Sequence, residues 1–326
     1  DVRKAAEIKP EDKDSVKQAL KTPEIELLLG KQVSTRLLGA HQELAFRVGK
    51  MRKKFASQYG FVVPEIKVTD DIAIPEKAYQ IRIHGTTVAS NNLRVGEVLV
   101  VTGSGRRPNV PGDEIREPAF GMPAVSVLET FTEELKREGF HPIDNVSVVL
   151  THVSEVIRNN LPQLLSYKDV KVLIDRLDPE YKKLADEICS SHMSYSGLQA
   201  VLKLLLAERV SIRNLPLILE SIAEGRSLGG AEAVADHVRQ RLGFQIVAEF
   251  RREDGTVPLI QLAPDWEKTF AAHQTDQREV ALPPDTFQRL AGNVADRPVR
   301  PHVPEGAVEI FGVDLHRLRP ERHPAA

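Results

Sequence analysis

Two side chains in this sequence could act as a nucleophile or move a proton, Cys189 and His152. A hydrolase built on either needs a partner base and a cleft that shifts their pKa values, and no such cluster is visible in the spacing. Cys189 follows Ile188 near the end of a helical pattern, the setting of a buried structural thiol. His152 has Glu155 three residues on, an ordinary helix neighbour, and neither His152 nor His192 belongs to an H-E-x-x-H pair. Gly103-Ser104-Gly105-Arg106-Arg107 invites a phosphate. It lacks both the Gly-Lys-Ser/Thr of a P-loop and a helix-opening G-x-G-x-x-G, so it reads as a solvated turn. Lys50, Arg52, Lys53 and Lys54 form a basic cluster that could hold phosphate or an acidic partner, or simply be the wet side of a helix. No catalytic centre, cofactor or metal site follows from these residues, and the chain reads as a protein that is not an enzyme.

A different chemistry is suggested by Glu117-Pro118-Ala119-Phe120-Gly121-Met122-Pro123. Its lone aromatic sits among proline and glycine that exclude helix and central strand, at what reads as a loop-to-helix junction. Full burial of such a ring is worth roughly 1.5 to 3 kcal/mol, so something should cover it. One reading is an intramolecular plug against a residue such as Leu128; the other is an anchor for a partner. The residues alone leave both open.

The elements that must position these side chains follow from periodicity. Ile25, Leu27 and Leu29 alternate with Glu24, Glu26 and Leu28, a half-buried strand. Leu44, Val48, Met51 and Phe55 mark one face of a helix that Gly60 stops, with Arg47, Lys50, Arg52, Lys53 and Lys54 opposite. Strands are expected over 61–68, with Pro64 at an edge, over 79–83, and over 97–101. A loop connection follows to Phe120, and Ala124, Leu128, Phe131 and Leu135 trace a helix ended by Gly139. Asp144 or Asn145 caps the next helix, whose stripe runs through Val146, Val149, Leu150, Val153, Val156, Ile157 and Leu161. That register turns Ser147, Thr151, Ser154 and Arg158 outward, so Thr151 faces solvent or a cleft. From Ser166 to Leu242 every element reads as helical, with Asp178 and Asn214 as caps. After Gly243, Phe244, Ile246, Ala248 and Phe250 alternate as a strand, Asp254-Gly255 marks a hairpin, and 257–262 returns.

The 326 residues exceed one hydrophobic core, so several compact units are expected. Lys+Arg 44 against Asp+Glu 46 leaves a net charge of -2, which disfavours a nucleic-acid module built on Arg52, Lys53 and Lys54. One cysteine excludes an internal disulfide and fits a reducing compartment. No run of about 18 apolar residues is present. Residues 1–22 read as a charged linker, and a start at Asp1 reads as a fragment whose missing part lies upstream.

Taken together, MRKKFASQYGFVVPEIKV, the Tyr79 to Gly85 strand, EPAFGMPAV, VVLTHVSEVI and LLAERVSIRNLPLILESIAEG, in that order, resemble the cytoplasmic domain of the type III secretion export-gate (FHIPEP) family, most of all its flagellar branch. The resemblance covers roughly residues 23–250. It implies an α/β fold of four subdomains: a linker 1–22, a first unit 23–95 with 145–164 split around a second at 96–144, a helical third at 165–244, and an α/β fourth at 245–326. The tail PVRPHVPEGAVEIFGVDLHRLRPERHPAA departs from the family pattern, in which further strands and a helix follow, and reads as a shortened variant, an artificial end or a divergent lineage of the fourth unit. It also implies a docking platform at the cytoplasmic face of the bacterial inner membrane, joined to the membrane only through an N-terminal region absent here. The platform assembles as a homo-oligomeric ring, usually of nine, and receives export chaperones with bound substrates and components of the export ATPase complex; no nucleic acid is implied. An injectisome export gate is the alternative within the family. The family's chaperone dimple maps onto Phe120, Thr151 and Glu117, the last replacing an aspartate and lengthening the acidic arm. Its basic stretch maps onto Arg52, Lys53 and Lys54.

Overall fold

A computed structural model describes residues 22–39, 41–102, 106–257, 264–274 and 280–296. The alternation at Ile25 is realised as β1 (Ile25–Leu29), whose inward side chains are buried. A parallel partner strand needs a crossover, supplied by α1 (Lys31–Gly39) and α2 (His41–Tyr59). Gly60 ends α2 at φ 89; a Cβ there would lie 2.4 Å from the Arg213 nitrogen, so only glycine lets the two segments meet. The chain then enters β2 (Ile66–Asp70), which begins two residues after Pro64, later than the sequence pattern suggests. Before it, Phe61 and Val63 are buried as irregular chain.

β3 (Ala78–Ile83) pairs antiparallel with β1, placing Leu27 opposite Ile81 and Leu29 opposite Tyr79. β4 (Thr86–Asn92) completes a four-stranded sheet in the order β2-β1-β3-β4. Neither α1 nor β4 is evident from periodicity. β4 reads TTVASNN, a polar edge whose strand geometry comes from pairing with β3 rather than from burial.

A second, three-stranded sheet has the order β5-β7-β6, from β5 (Glu97–Val101), β6 (Gly112–Arg116) and β7 (Pro123–Leu128). Two expectations are corrected here. The stretch before Phe120 is not all loop, because GDEIR pairs with β7 as an exposed edge strand. Ala124 to Leu128 is strand rather than helix: β5 and β6 flank it, and Val125 and Val127 pack with Val98, Val100, Val110 and Leu135 in a core of their own. A short apolar run fits either period, and the two ladders decide it. Helix begins only after a 3-10 turn at Glu129–Phe131, as α3 (Thr132–Arg137), and Gly139 follows at φ 82.

The long helix α4 (Asn145–Asn159) carries the expected stripe inward, with Val149, Val153 and Ile157 fully buried. It is capped by Asp144, whose carboxylate accepts from the Ser147 N–H at 2.8 Å. Then come α5 (Leu161–Leu164), α6 (Tyr167–Asp175), α7 (Pro179–Ser191), α8 (Tyr195–Ala207), α9 (Leu215–Glu224) and α10 (Gly230–Arg241). Ser166 closes a capping box with Asp169, and Asn214 accepts from Leu217 N–H; Asp178 makes no side-chain cap bond. Their apolar faces join those of α4 and the first sheet in one continuous core.

The strand expected at Phe244–Phe250 is α11 (Gly243–Phe250). Gly243 does not adopt a left-handed conformation, so it stops nothing. Leu242 stays helical at φ -80 and its carbonyl accepts the Ile246 N–H, carrying the turn onward. The Asp254-Gly255 turn is present, with Gly255 at φ 82, but Val257 is not strand and 258–262 lie outside the described residues. α12 (Pro264–Ala272) and α13 (Pro284–Asp296) follow. The expected linker through residue 21, the glycines of 103–105 and the tail from 297 also lie outside the described residues.

Candidate functional site

Phe120 lies in the turn between β6 and β7, not at the expected loop-to-helix junction. Its ring is 42% exposed. Leu128 is at the far end of β7, five residues or about 17 Å beyond Pro123, and is itself 56% exposed. The intramolecular plug is therefore not Leu128.

The turn is held by Glu117, which is 6% exposed. Its carboxylate accepts the N–H groups of Ala119 at 2.8 Å, Phe120 at 2.6 Å and Met122 at 3.1 Å. Glu117 N–H donates to the Met122 carbonyl and Gly121 N–H to the Glu117 carbonyl. Pro118 has no N–H, so every backbone donor from 117 to 122 is satisfied inside the turn. Gly121, at φ 69, makes the reversal, and Arg116 donates to its carbonyl at 2.7 Å. Charge-assisted bonds of this kind are about twice as strong as neutral ones. Phe120 is thus presented on a rigid loop, and Glu117 works from inside that loop rather than as a polar contact at its rim.

Arg47 on α2 reaches Asp144 at 3.2 Å and the Ser147 hydroxyl at 2.7 Å, fixing the start of α4 against the first unit. Burial pushes the Asp144 carboxyl up, but the Ser147 bonds and Arg47 outweigh it and hold it below the ordinary value of 3.8. Two turns on, Thr151 is exposed, its hydroxyl donating to the Ser147 carbonyl at 2.7 Å and leaving its acceptor lone pairs outward. The neighbouring His152 points inward and is 8% exposed; its Nδ1 lies 2.8 Å from the hydroxyl of Tyr79, which is fully buried in β3. Burial lowers the His152 pKa, while the charges of Glu117 and Glu155 oppose it. The Tyr79 hydroxyl is pushed up by burial and by the Glu117 charge. The Glu117 charge thus acts on both groups. One cavity, of about 220 Å3, is lined by Pro118 of the Phe120 loop and by Val148 of α4, and among others by Arg94, Arg116 and Asn145. Sequence reasoning missed the Tyr79–His152 pair, because its members are 73 residues apart and each fits an ordinary inward position.

The basic cluster is not one uniform face. Lys53 and Lys54 are exposed, whereas Arg52 turns back to donate to the Val63 carbonyl at 3.0 Å. His152 has Tyr79, Glu117 and Glu155 acting on it, whereas Cys189 has Asp186 and Lys171. Burial, with Asp186, raises the Cys189 thiol, and Lys171 opposes the shift. Among the described residues no three His, Cys, Asp or Glu side chains are grouped to hold a metal ion, and no helix is long and apolar enough to cross a membrane.

Comparison with known proteins gives a consistent result. The profile of the FHIPEP family matches residues 1–308. The flagellar biosynthesis protein FlhA of Caulobacter vibrioides is 33% identical over 301 residues, covering 91% of this chain and 43% of that protein. The chain thus spans less than half the length of that relative. Among solved structures, the Chlamydia pneumoniae CdsV protein superposes with a TM-score of 0.73 at 21% identity, over 89% of this chain and 85% of that one. CdsV in complex with CdsO gives the same TM-score at 21% identity, over 85% and 83%. Nonameric SctV-C of EPEC gives 0.64 at 17% identity, over 86% and 85%. These structural likenesses establish the fold.

Proposed function

The chain belongs to the FHIPEP family, and on that footing we propose that it is the cytoplasmic docking platform of a bacterial flagellar type III export gate. It receives export chaperones loaded with substrate and passes the substrates to the membrane channel, working at the cytoplasmic face of the inner membrane as part of a longer protein. The observation that carries this reading is Phe120, a half-exposed aromatic on a loop whose own backbone is fully satisfied; the exposed Thr151 on α4 is the polar residue assigned to the same site. A rigid aromatic anchor suits an amphipathic chaperone helix laid into a groove. Glu117 positions the anchor, and the exposed Lys53 and Lys54 offer an acidic partner a second contact.

The platform forms a ring with copies of itself and meets components of the export ATPase complex. The nonameric SctV-C assembly and the CdsV–CdsO complex support those partners by analogy of fold. The separate core of the second sheet supports setting 96–144 apart from 23–95 with 145–164; a linker 1–22, a helical unit 165–244 and a fourth unit 245–326 complete the proposed division. The flagellar branch is preferred over an injectisome because the Caulobacter relative is a flagellar protein at 33% identity. No catalytic step is assigned to His152 or Cys189.

Covering the exposed 42% of a ring that presents about 200 Å2 removes roughly 80 Å2 from water, worth about 2 kcal/mol. Phe120→Ala should therefore weaken docking of a substrate-loaded filament-type chaperone about thirtyfold by calorimetry, with the circular dichroism spectrum unchanged. Unchanged affinity in the folded variant refutes the site. Stronger capture of injectisome than of flagellar chaperones by the unmodified chain moves it to the other branch.

A further inference from the structure

The first sheet ends in a strand whose outer edge is bare. β4 pairs with β3 on one side, and the order β2-β1-β3-β4 stops there. Thr86, Thr87, Val88, Ser90 and Asn92 along it are exposed. Which main-chain groups face outward follows from the ladder. Gly30 N–H donates to the Ala78 carbonyl at 2.9 Å, and Leu93 N–H donates to the Lys77 carbonyl at 2.7 Å. Antiparallel bonds alternate sides from one residue to the next, so Ala78 and Gln80 bond to β1 while Tyr79 and Ile81 bond to β4. Opposite Tyr79 and Ile81 stand Asn91 and Ala89. Ser90 and Asn92 therefore turn their N–H and C=O groups away from the sheet. The Asn91 side chain takes the Asn92 N–H at 2.7 Å, which leaves the Ser90 N–H and both carbonyls facing out.

Bare edges invite another strand, and proteins usually guard them with charge, proline or a covering segment. The other edges here are guarded. β2 carries Lys67 and Asp70, β6 carries Asp113, Glu114 and Arg116, and Leu99 of β5 exchanges two bonds with Ile143 at 2.9 and 2.8 Å. β4 reads TTVASNN, with no charge and no proline. A register shift leaves Val88 without an opposite residue, so the regular open stretch is Ala89 to Asn92. That stretch leads into the cavity beside the Phe120 loop, which Asn91 and Asn92 line together with Arg116 and Pro118.

We infer that the β4 edge takes an extended segment of the export substrate by strand addition, next to the chaperone docked at Phe120. The identity of the segment rests on the function proposed above. Main-chain bonds select no particular side chain, which suits a platform that receives different substrates at one place. The segment that fits is uncharged, with Ser, Thr, Asn or Val side chains to pair across from Ser90 and Asn92. Four residues of open edge offer few bonds, so the hold is weak and reversible by itself.

The edge is tested on the free chain by NMR with the peptide acetyl-STVTNTS-amide and a twin N-methylated at two adjacent central residues, which blocks both edges of the peptide. At four times the dissociation constant, reached at millimolar peptide, the Ser90 amide should exchange about fivefold more slowly. The twin should bind about tenfold more weakly or worse. Proline is tolerated on an edge strand where the N–H faces solvent, so Ser90→Pro should keep the fold and lose the peptide, while Ser90→Ala binds it unchanged. In calorimetry Ser90→Pro should weaken docking of a substrate-loaded chaperone about tenfold and leave the empty chaperone unaffected. A Ser90 amide unprotected at millimolar peptide, or a twin that binds as tightly, overturns strand addition. Equal weakening of loaded and empty chaperone, or a dimer of the free chain that Ser90→Pro abolishes, gives the edge to another occupant and overturns the assignment to substrate. The peptide measurements need no chaperone, so their failure is distinct from a failure of the Phe120→Ala calorimetry.

Discussion

Replacing Glu117 by glutamine changes one atom and tests how the Phe120 loop is built. The carboxylate serves three N–H donors, one through Oε2 and two through Oε1. Glutamine keeps one carbonyl oxygen for Phe120 and Met122 and turns an NH2 group toward the N–H of Ala119, donor against donor. One bond is lost and the other two lose their charge assistance. Hydrogen bonds to charged groups contribute roughly 1.5–3 kcal/mol and neutral ones about 0.5–1.5. A local loss of about 2 kcal/mol is expected, equal to about thirtyfold faster opening. Global melting is a poor probe of this, because a surface loop can open while the cores stay folded. Amide hydrogen exchange reads the loop directly. Ala119, Phe120 and Met122 should exchange about thirtyfold faster in Glu117→Gln, while Val125 in the middle of β7, paired on both sides, is unchanged. Equal protection of the three amides in wild type and variant would show that the loop holds its shape without the carboxylate, and the positioning role of Glu117 would fail with it.

Other perturbations probe the scaffold. Because the folded pKa of His152 lies below 6.5, the unfolded chain takes up a proton first as pH falls. Its contribution is complete above pH 6.5 and is lost as pH falls through the folded value; denaturant titrations at pH 7.5 and 5.5 should show the decline, absent in His152→Asn. Asp144→Ala removes the cap of α4 and the partner of Arg47, and should lower stability by about 1–2 kcal/mol in urea titrations. Gly60→Ala forces a Cβ against Arg213 in a left-handed turn and should cost more than Asp144→Ala, read as a lower thermal midpoint. Cys189 should react with iodoacetamide more slowly at pH 7.5 than a free thiol, since burial raises its pKa.

Elements that bury one face were legible before any coordinates. β1 and β3 show inward residues at every second position, β5 is a short apolar run buried through its middle, and α4 declares itself by a wide stripe behind an aspartate cap. The elements that escaped notice bury little or bury everything. β4 and β6 are polar edges whose geometry is imposed by the neighbouring strand, a long-range cause that no local window contains. β7 and α11 are short apolar runs that fit two periods, and what separates them is the company they keep: two flanking ladders for β7, a helical Leu242 for α11.

The site divides along the same line. The outward register of Thr151 and the unusual setting of Phe120 are local facts, readable from spacing. The work done by Glu117 is also local, since its acceptors serve donors two, three and five residues on, yet it was read as a contact for a partner because an acidic residue beside an aromatic suggests a rim. Burial at 6% exposure reverses that reading. An acid free to meet a partner could be neutralised with little effect on the loop, whereas an acid that satisfies three of the loop's own N–H groups cannot. The side chain proposed to meet a partner and the one that orients it thus respond to different experiments. Truncating Phe120 should change affinity and leave the loop amides protected, and altering Glu117 should change both. If the two substitutions gave the same pattern of exchange and affinity, anchor and clamp would not be separate parts of this loop.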